Sequence, residues 1–249
     1  MPQFSDDLFL GSAQTFMGIN TFSALGDPSP MDLGVGPLGR IYVWDTVPLT
    51  LQLNNIATAS VYTAAIALTA GTGTTSVVRA DGTTVVQLDV PRAVSTRTGA
   101  GSPTNRNVTV VGYDYYGQAM SEVIATGTVA STTVNGKKAF FQIVSASISG
   151  SPVVTVSLGT TDILGLPVRI NSGVYIAHVG WSTGFAIDSG TFTAADATTA
   201  TTTTGDVRGT FLPSSVTDGS KRLVVGTLLT GLAVGPNATR AGALGVTQA

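Results

Sequence analysis

From Ile41 onward the chain alternates between apolar and polar residues with a period of two, the signature of half-buried β-strands. In "RIYVWDTVPLTLQL", Ile41, Val43 and Asp45 fall on one face and Tyr42, Trp44 and Thr46 on the other. "VTVVGYDYYGQAMSEVI", Val108 to Ile124, reads as a hairpin. Val108, Val110 and Gly112 share one face, Thr109, Val111 and Tyr113 the other, and the chain turns around Tyr116-Gly117. Asx-Gly pairs recur between β-rich runs at Asp81-Gly82, Asn135-Gly136 and Asp218-Gly219. Each predicts a hairpin, because tight hairpin turns need residues that tolerate positive φ. Pro91, Pro103, Pro152, Pro167 and Pro213 are placed between strands, where a missing N–H does least damage. Helical periodicity is nearly absent, and the alternation and Thr/Val content of Asn54 to Ala70 favour strand. Roughly ten or more short strands with frequent turns predict an all-β fold, a β-sandwich or jelly-roll-like domain over residues 41–230.

The two ends break this pattern. Gly26 to Arg40, "GDPSPMDLGVGPLGR", holds three Pro and four Gly, which excludes a regular helix or a central strand. Large apolar residues punctuate residues 1–40, among them Phe4, Leu8, Phe9, Phe16 and Phe22. A disordered tail lacks such residues, so this segment reads as an extended arm that docks its side chains on something. A short helical turn capped by Ser5-Asp6-Asp7 is expected near Ser5 to Leu10. Residues 231–249, rich in Gly and Ala, read as a second extended arm.

Composition sharpens this picture. Charged residues make up 10% of the 249 positions, against roughly a quarter in average soluble proteins. The apolar share is 43% and the mean hydropathy is +0.34. A chain with so little charge covers its surface with Thr, Ser, Gly, Ala and Asn, or hides it against other chains. Net charge is −2 with no Lys/Arg cluster, which argues against a nucleic-acid partner. No apolar run approaches the length of a membrane span, and "MPQFSDDLFLGSAQ" has no secretory signal. Synthesis in the cytoplasm is expected, with no membrane partner.

The residues that carry chemistry are sparse. There is no Cys and one His, so thiol catalysis and His/Cys metal sites are excluded by counting. "GVGPLG" matches G-x-G-x-x-G at Gly34, Gly36 and Gly39, but Pro37 interrupts it and no βαβ pattern surrounds it, so a Gly/Pro arm is the reading. His178, in "VYIAHVGW", shares its strand face with Val174 and Ile176 and reads as a structural or interface residue. Asp114 and Glu122 could face each other across the hairpin as a glycosidase pair; a solvated edge or a turn contact is the commoner role. A Lys–Asn or Lys–Asp isopeptide bond would suit Lys137 or Lys138, but no acid is placed beside either by sequence. Calcium has no recognisable ligand spacing. No catalytic residue, cofactor or metal is assigned.

Three stretches together carry a resemblance: "RNVTVVGYDYYGQAMSEVIATG", "NGKKAFFQIVSASISG" and "VTVSLGTTDILGLPVRI". With "TTTTGDVRGTFLPSSVTDGSKRLVV" they cover roughly residues 105–227, and the run resembles structural proteins of tailed-bacteriophage virions. The resemblance implies a non-enzymatic capsid decoration (cement) protein on the capsid surface. Its implied partners are the major capsid protein and copies of itself, as a dimer or trimer. Phe4, Leu8, Phe9, Phe16, Phe22, Trp44, Tyr113, Tyr115 and Tyr116 are the expected contact residues. The alternative is a tail or head-fibre adhesin that binds host-surface glycans through Tyr113, Tyr115 and Tyr116.

Overall fold

The structure is a computed structural model that describes residues 8–9, 40–170, 173, 176–182, 186–196 and 205–229. It is all-β: among the described residues no α-helix occurs and every strand pair is antiparallel. Among the described residues fifteen strands form two curled sheets in a β-sandwich-like arrangement.

The smaller sheet runs β1 (Leu8–Phe9), β2 (Arg40–Thr46), β15 (Leu223–Leu229), β11 (Ile176–Trp181) and β12 (Ala186–Ile187). The larger follows the order β13 (Thr191–Thr193), β14 (Thr210–Leu212), β10 (Val156–Gly165), β6 (Thr84–Thr98), β9 (Thr133–Ile148), β7 (Asn107–Tyr113) and β8 (Ala119–Ala125). Three short strands join this path at its margins: β3 (Ala57–Ser60) on β10, β4 (Ala65–Ile66) on β9 and β5 (Thr74–Val78) on β6.

Two apolar cores result. The first collects Val86, Leu88, Val94, Val108, Val110, Met120, Ile124, Phe140, Ile143, Val156 and Leu158 from the large sheet, and Ile56, Ala57, Tyr62 and Ile66 from the segment before it. The second lies where the sheets face one another. Val90, Leu164 and Phe211 of the large sheet meet Val179, Trp181, Leu223 and Val225 of the small one, with Leu166, Val168 and Ile170 between strands. Each such side chain contributes about 1.5–3 kcal/mol when withdrawn from water.

Several expectations take a different form in the structure. Asp81-Gly82 does close a hairpin, between β5 and β6. It is a three-residue loop with Gly82 at a φ of 83°, the left-handed position such loops reserve for glycine. Asn135-Gly136 is not a turn; both residues lie inside the sixteen-residue β9. Asp218-Gly219 is a bend, but β14 and β15 on either side belong to different sheets, so no hairpin forms. Pro91 sits buried within β6 rather than between strands. The ladder tolerates it because the register of β6 against β9 shifts between Gln87 and Arg92, the stretch that contains Pro91, and Pro91 has no paired residue on β10. His178 is exposed on the outer face, while Ile176 packs toward the second core. A register shift between them breaks the shared face expected from simple alternation. Of the two arms, only Leu8–Phe9 and Arg40 are among the described residues, and Leu8–Phe9 is strand rather than the expected helical turn. The arm over residues 231–249, with Phe4, Phe16 and Phe22 of the first, lies outside them.

The segment from Leu49 to Ile56 lies flat on β10. Thr160 is its anchor: its N–H donates to the Gln52 carbonyl at 2.8 Å and to Asn55 Oδ1 at 3.1 Å, and its hydroxyl accepts the Gln52 N–H at 3.0 Å. Ser157 donates its hydroxyl to the Leu53 carbonyl at 2.8 Å. Gly159 permits this approach, since a Cβ there would stand 2.1 Å from the Gln52 carbonyl oxygen and 2.4 Å from the Leu53 carbonyl carbon. Backbone on both sides leaves nothing flexible to give way. Gly159→Ala is therefore expected to cost about 1–3 kcal/mol through overpacking. A drop of several degrees in melting temperature, read by circular dichroism, checks it; an unchanged melting point refutes the flat packing.

Candidate functional site

The polar centre of the molecule is built around an irregularity in β9. Ala93 pairs with Ala139 and Ser95 with Asn135, so Val94 alone stands opposite Gly136, Lys137 and Lys138. A bulge of this kind removes main-chain N–H groups from the ladder, and in the interior each needs a partner. Glu122 supplies two. It lies on the inward phase of β8, paired with Val110, and is 2% exposed. Its Oε1 accepts the Lys137 N–H at 2.6 Å and its Oε2 the Lys138 N–H at 3.2 Å. Asp206, also buried, accepts the Ala139 N–H on Oδ2 at 2.9 Å and the Arg208 N–H on Oδ1 at 2.8 Å.

Gly136 makes room for this carboxylate. A Cβ at that position would come within 2.6 Å of Glu122 Oε2. The Asn-Gly pair that resembles a turn signal is thus a site of close approach.

Burial pushes the Glu122 carboxyl up to about 7, opposed by the Lys137 and Lys138 N–H bonds and by the Lys138 charge, and reinforced by Asp206. Burial likewise lowers the Lys138 ammonium, with Glu122 and Asp206 opposing. A lysine beside two buried acids invites comparison with groups that form amide cross-links. Here both carboxylates hold main-chain N–H groups, and the arrangement is a brace on the bulge.

A second charged group lies at the hairpin tip. Asp114 accepts the Tyr116 N–H at 2.9 Å and the Gln118 N–H at 2.8 Å on Oδ1, fixing the turn. Its Oδ2 lies 2.7 Å from Arg208 Nη2, an ion pair with both side chains buried. The Arg208 guanidinium also sits 4.7 Å from the centre of the Tyr116 ring, and the Tyr116 hydroxyl donates to the Pro167 carbonyl. The tip of the hairpin is thereby latched onto segments that bound the second core.

The structure brings some expected residues together and separates others. Tyr115 and Tyr116 are both half exposed, edge-on to each other at 5.3 Å, and Tyr115 meets Phe141 at 5.3 Å. Tyr113 lies on the outer face beneath Arg79, whose guanidinium is 3.7 Å from the ring centre and bonds Gln142. Trp44 is half-buried and packs against the second core. Leu8 and Phe9 pair with Ile41 and Arg40 through the main chain. Asp114 makes the expected turn contact. Glu122 does not lie on a solvated edge, and the two acids serve separate networks, so they do not form a facing pair. Sequence reasoning missed that Asp206 and Lys138 gather around Glu122 and that Arg208 pairs with Asp114. The signal available was an acid in the apolar phase of a strand. Among the described residues no group of three or more acids and histidines is placed to hold a metal. Comparison with protein-family models, curated proteins and solved structures yields no match to this chain.

The raised Glu122 value makes stability depend on pH. The native state binds more protons than the unfolded chain between about 4.5 and about 7, so stability falls as pH rises through that window. Urea unfolding at pH 4.5 and 7.5 is expected to show a loss at the higher pH on the order of 1–3 kcal/mol, largely absent in Glu122→Gln. A rise in stability across the window, or an identical loss in Glu122→Gln, rules out this role. Arg208→Met leaves Asp114 charged and buried, and a cost of about 3–5 kcal/mol is expected in the same measurement; a cost below about 1 kcal/mol would show that the latch contributes little.

Proposed function

We propose that this chain is a non-enzymatic structural protein of a tailed-bacteriophage virion, a capsid decoration protein that stabilises the shell by contacts with the major capsid protein and with copies of itself. The observation that carries the reading is an open apolar sheet face beside the points where both terminal segments join the fold. On the outer side of the small sheet, Ile187 is 83% exposed and Val43 39% exposed, with Val224 and His178 between them and one Arg222–Asp45 ion pair at the margin. Arg40, where residues 1–39 enter, pairs with Leu229, where residues 230–249 leave. Both arms therefore start from one end of this sheet.

Apolar surface of this kind marks interaction sites, and burying it contributes about 25 cal/mol per Å². In a shell that contribution is repeated in every copy. The buried brace and latch suit such a role, since they stiffen a module that carries load without performing turnover.

A second reading has one observation in its favour. Tyr115 and Tyr116 form a half-exposed aromatic pair, pinned by Arg208 and Pro167, which suits a fibre-type adhesin that stacks host glycans.

Deleting residues 2–39 is expected to reduce loading onto purified empty shells at least about tenfold, equivalent to 1.4 kcal/mol, while the β-sheet circular dichroism signal persists. Ile187→Asp is expected to weaken loading in the same direction. Undiminished loading of both variants refutes the decoration reading, and glycan-array binding lost in Tyr115→Ala would favour the adhesin.

A further inference from the structure

A cleft of about 410 Å³ opens where the Leu49–Ile56 segment crosses β6 and β10. Its lining includes the apolar Leu51, Leu53 and Ala59 and the polar Gln52, Asn54, Arg97 and Ser157. Arg97 pairs in register with Ser157 of β10 on one side and Thr133 of β9 on the other, which fixes the strand face that its side chain occupies. It is half-buried.

Three other arginines drawn into the interior have work to do in the fold. Arg92 holds Asp89 and the Leu49 carbonyl, Arg106 the Ser151 carbonyl, and Arg208 pairs with Asp114. Arg97 makes no hydrogen bond, ion pair or ring contact with any described residue, and the side-chain amides of Gln52 and Asn54 are likewise unengaged. The Ser157 hydroxyl, by contrast, is already donated to Leu53. Half-buried Arg97 and Gln52 and exposed Asn54, whose side chains hold no described residue, thus line one small cleft beside apolar residues. A guanidinium presents a planar fork of donors matched to a carboxylate, and the amides can complete the anion's coordination.

We propose that this cleft binds an acidic peptide segment: an Asp or Glu side chain seated on Arg97, Gln52 and Asn54, with apolar neighbours against Leu51 and Leu53. Charge complementarity selects the carboxylate. The apolar walls select the flanking residues. Among the described residues no aromatic ring lines the cleft, so a peptide fits better there than an acidic saccharide, which sugar sites hold by stacking. The platform is rigid, because Thr160, Asn55 and Ser157 pin the segment that carries Gln52 and Asn54. Peptide binding here stands independently of the decoration reading, since any protein with such a segment could supply it.

The test is an NMR titration of the full chain with acetyl-Leu-Asp-Leu-amide, following the Arg97 side-chain N–H and the Gln52 and Asn54 amides. Saturable shifts at these three residues are expected. The Asn-containing peptide acetyl-Leu-Asn-Leu-amide is expected to bind at least about tenfold more weakly, because charge-assisted hydrogen bonds are the stronger kind. Arg97→Gln is expected to lose binding to a similar degree with an unchanged melting temperature, since its guanidinium holds nothing in the fold. Should that variant misfold, Asn54→Ala with the same two peptides on the wild-type chain still decides. Shifts that never saturate, equal binding of the two peptides, or full binding by Arg97→Gln overturns the proposal. Tighter binding of sodium glucuronate than of the Asp peptide also overturns it, and assigns the cleft to an acidic sugar.

Discussion

Every main-chain N–H that an irregular β-sheet turns into its interior must find an acceptor, and this protein meets that demand with carboxylates. Glu122 and Asp206 take the N–H groups that the β9 bulge removes from the ladder. Asp114 closes the hairpin tip, and Asp89 accepts the Leu49 N–H where the crossing segment begins. Buried anions then need cations, which draws Arg92 and Arg208 inward. Among the described residues Asp114, Glu122, Asp162 and Asp206 are buried, so a chain already poor in charge has still less of it on its surface. The interior network and the apolar exterior are two sides of one allocation.

The period of two was enough to read the class of fold, because alternation is a local property and strands bury one face at a time. The β7–β8 hairpin follows that pattern closely, with Val108, Val110, Gly112, Met120 and Ile124 inward. What alternation does not carry is register. The bulge at Gly136 to Lys138 turned an Asn-Gly turn signal into mid-strand, and the shift beside Ile176 put His178 on the opposite face. Pro91 within β6 was equally invisible, since register shifts on its neighbours are long-range facts.

The same distinction governs the functional residues. Tyr115 and Tyr116 stood out because aromatic residues at a turn are conspicuous, and they are indeed half exposed. Glu122 stood out as an acid, yet its role depends on Asp206 and Lys138, far away in sequence and adjacent only after folding. Arg97 carried no signal at all. That it lines a cleft without a partner is visible only in the assembled set of contacts. Open apolar strands, stiffened from within by these networks, are the features on which the proposed decoration role rests.

Two long strands run through both cores. β6 places Val86, Leu88 and Val94 in the first and Val90 in the second, and β10 places Val156 and Leu158 in the first and Leu164 in the second. Melting either core therefore tears the strands that line the other. The two cores are thus coupled through continuous backbone, and loss of order in one is passed along β6 and β10 to the other.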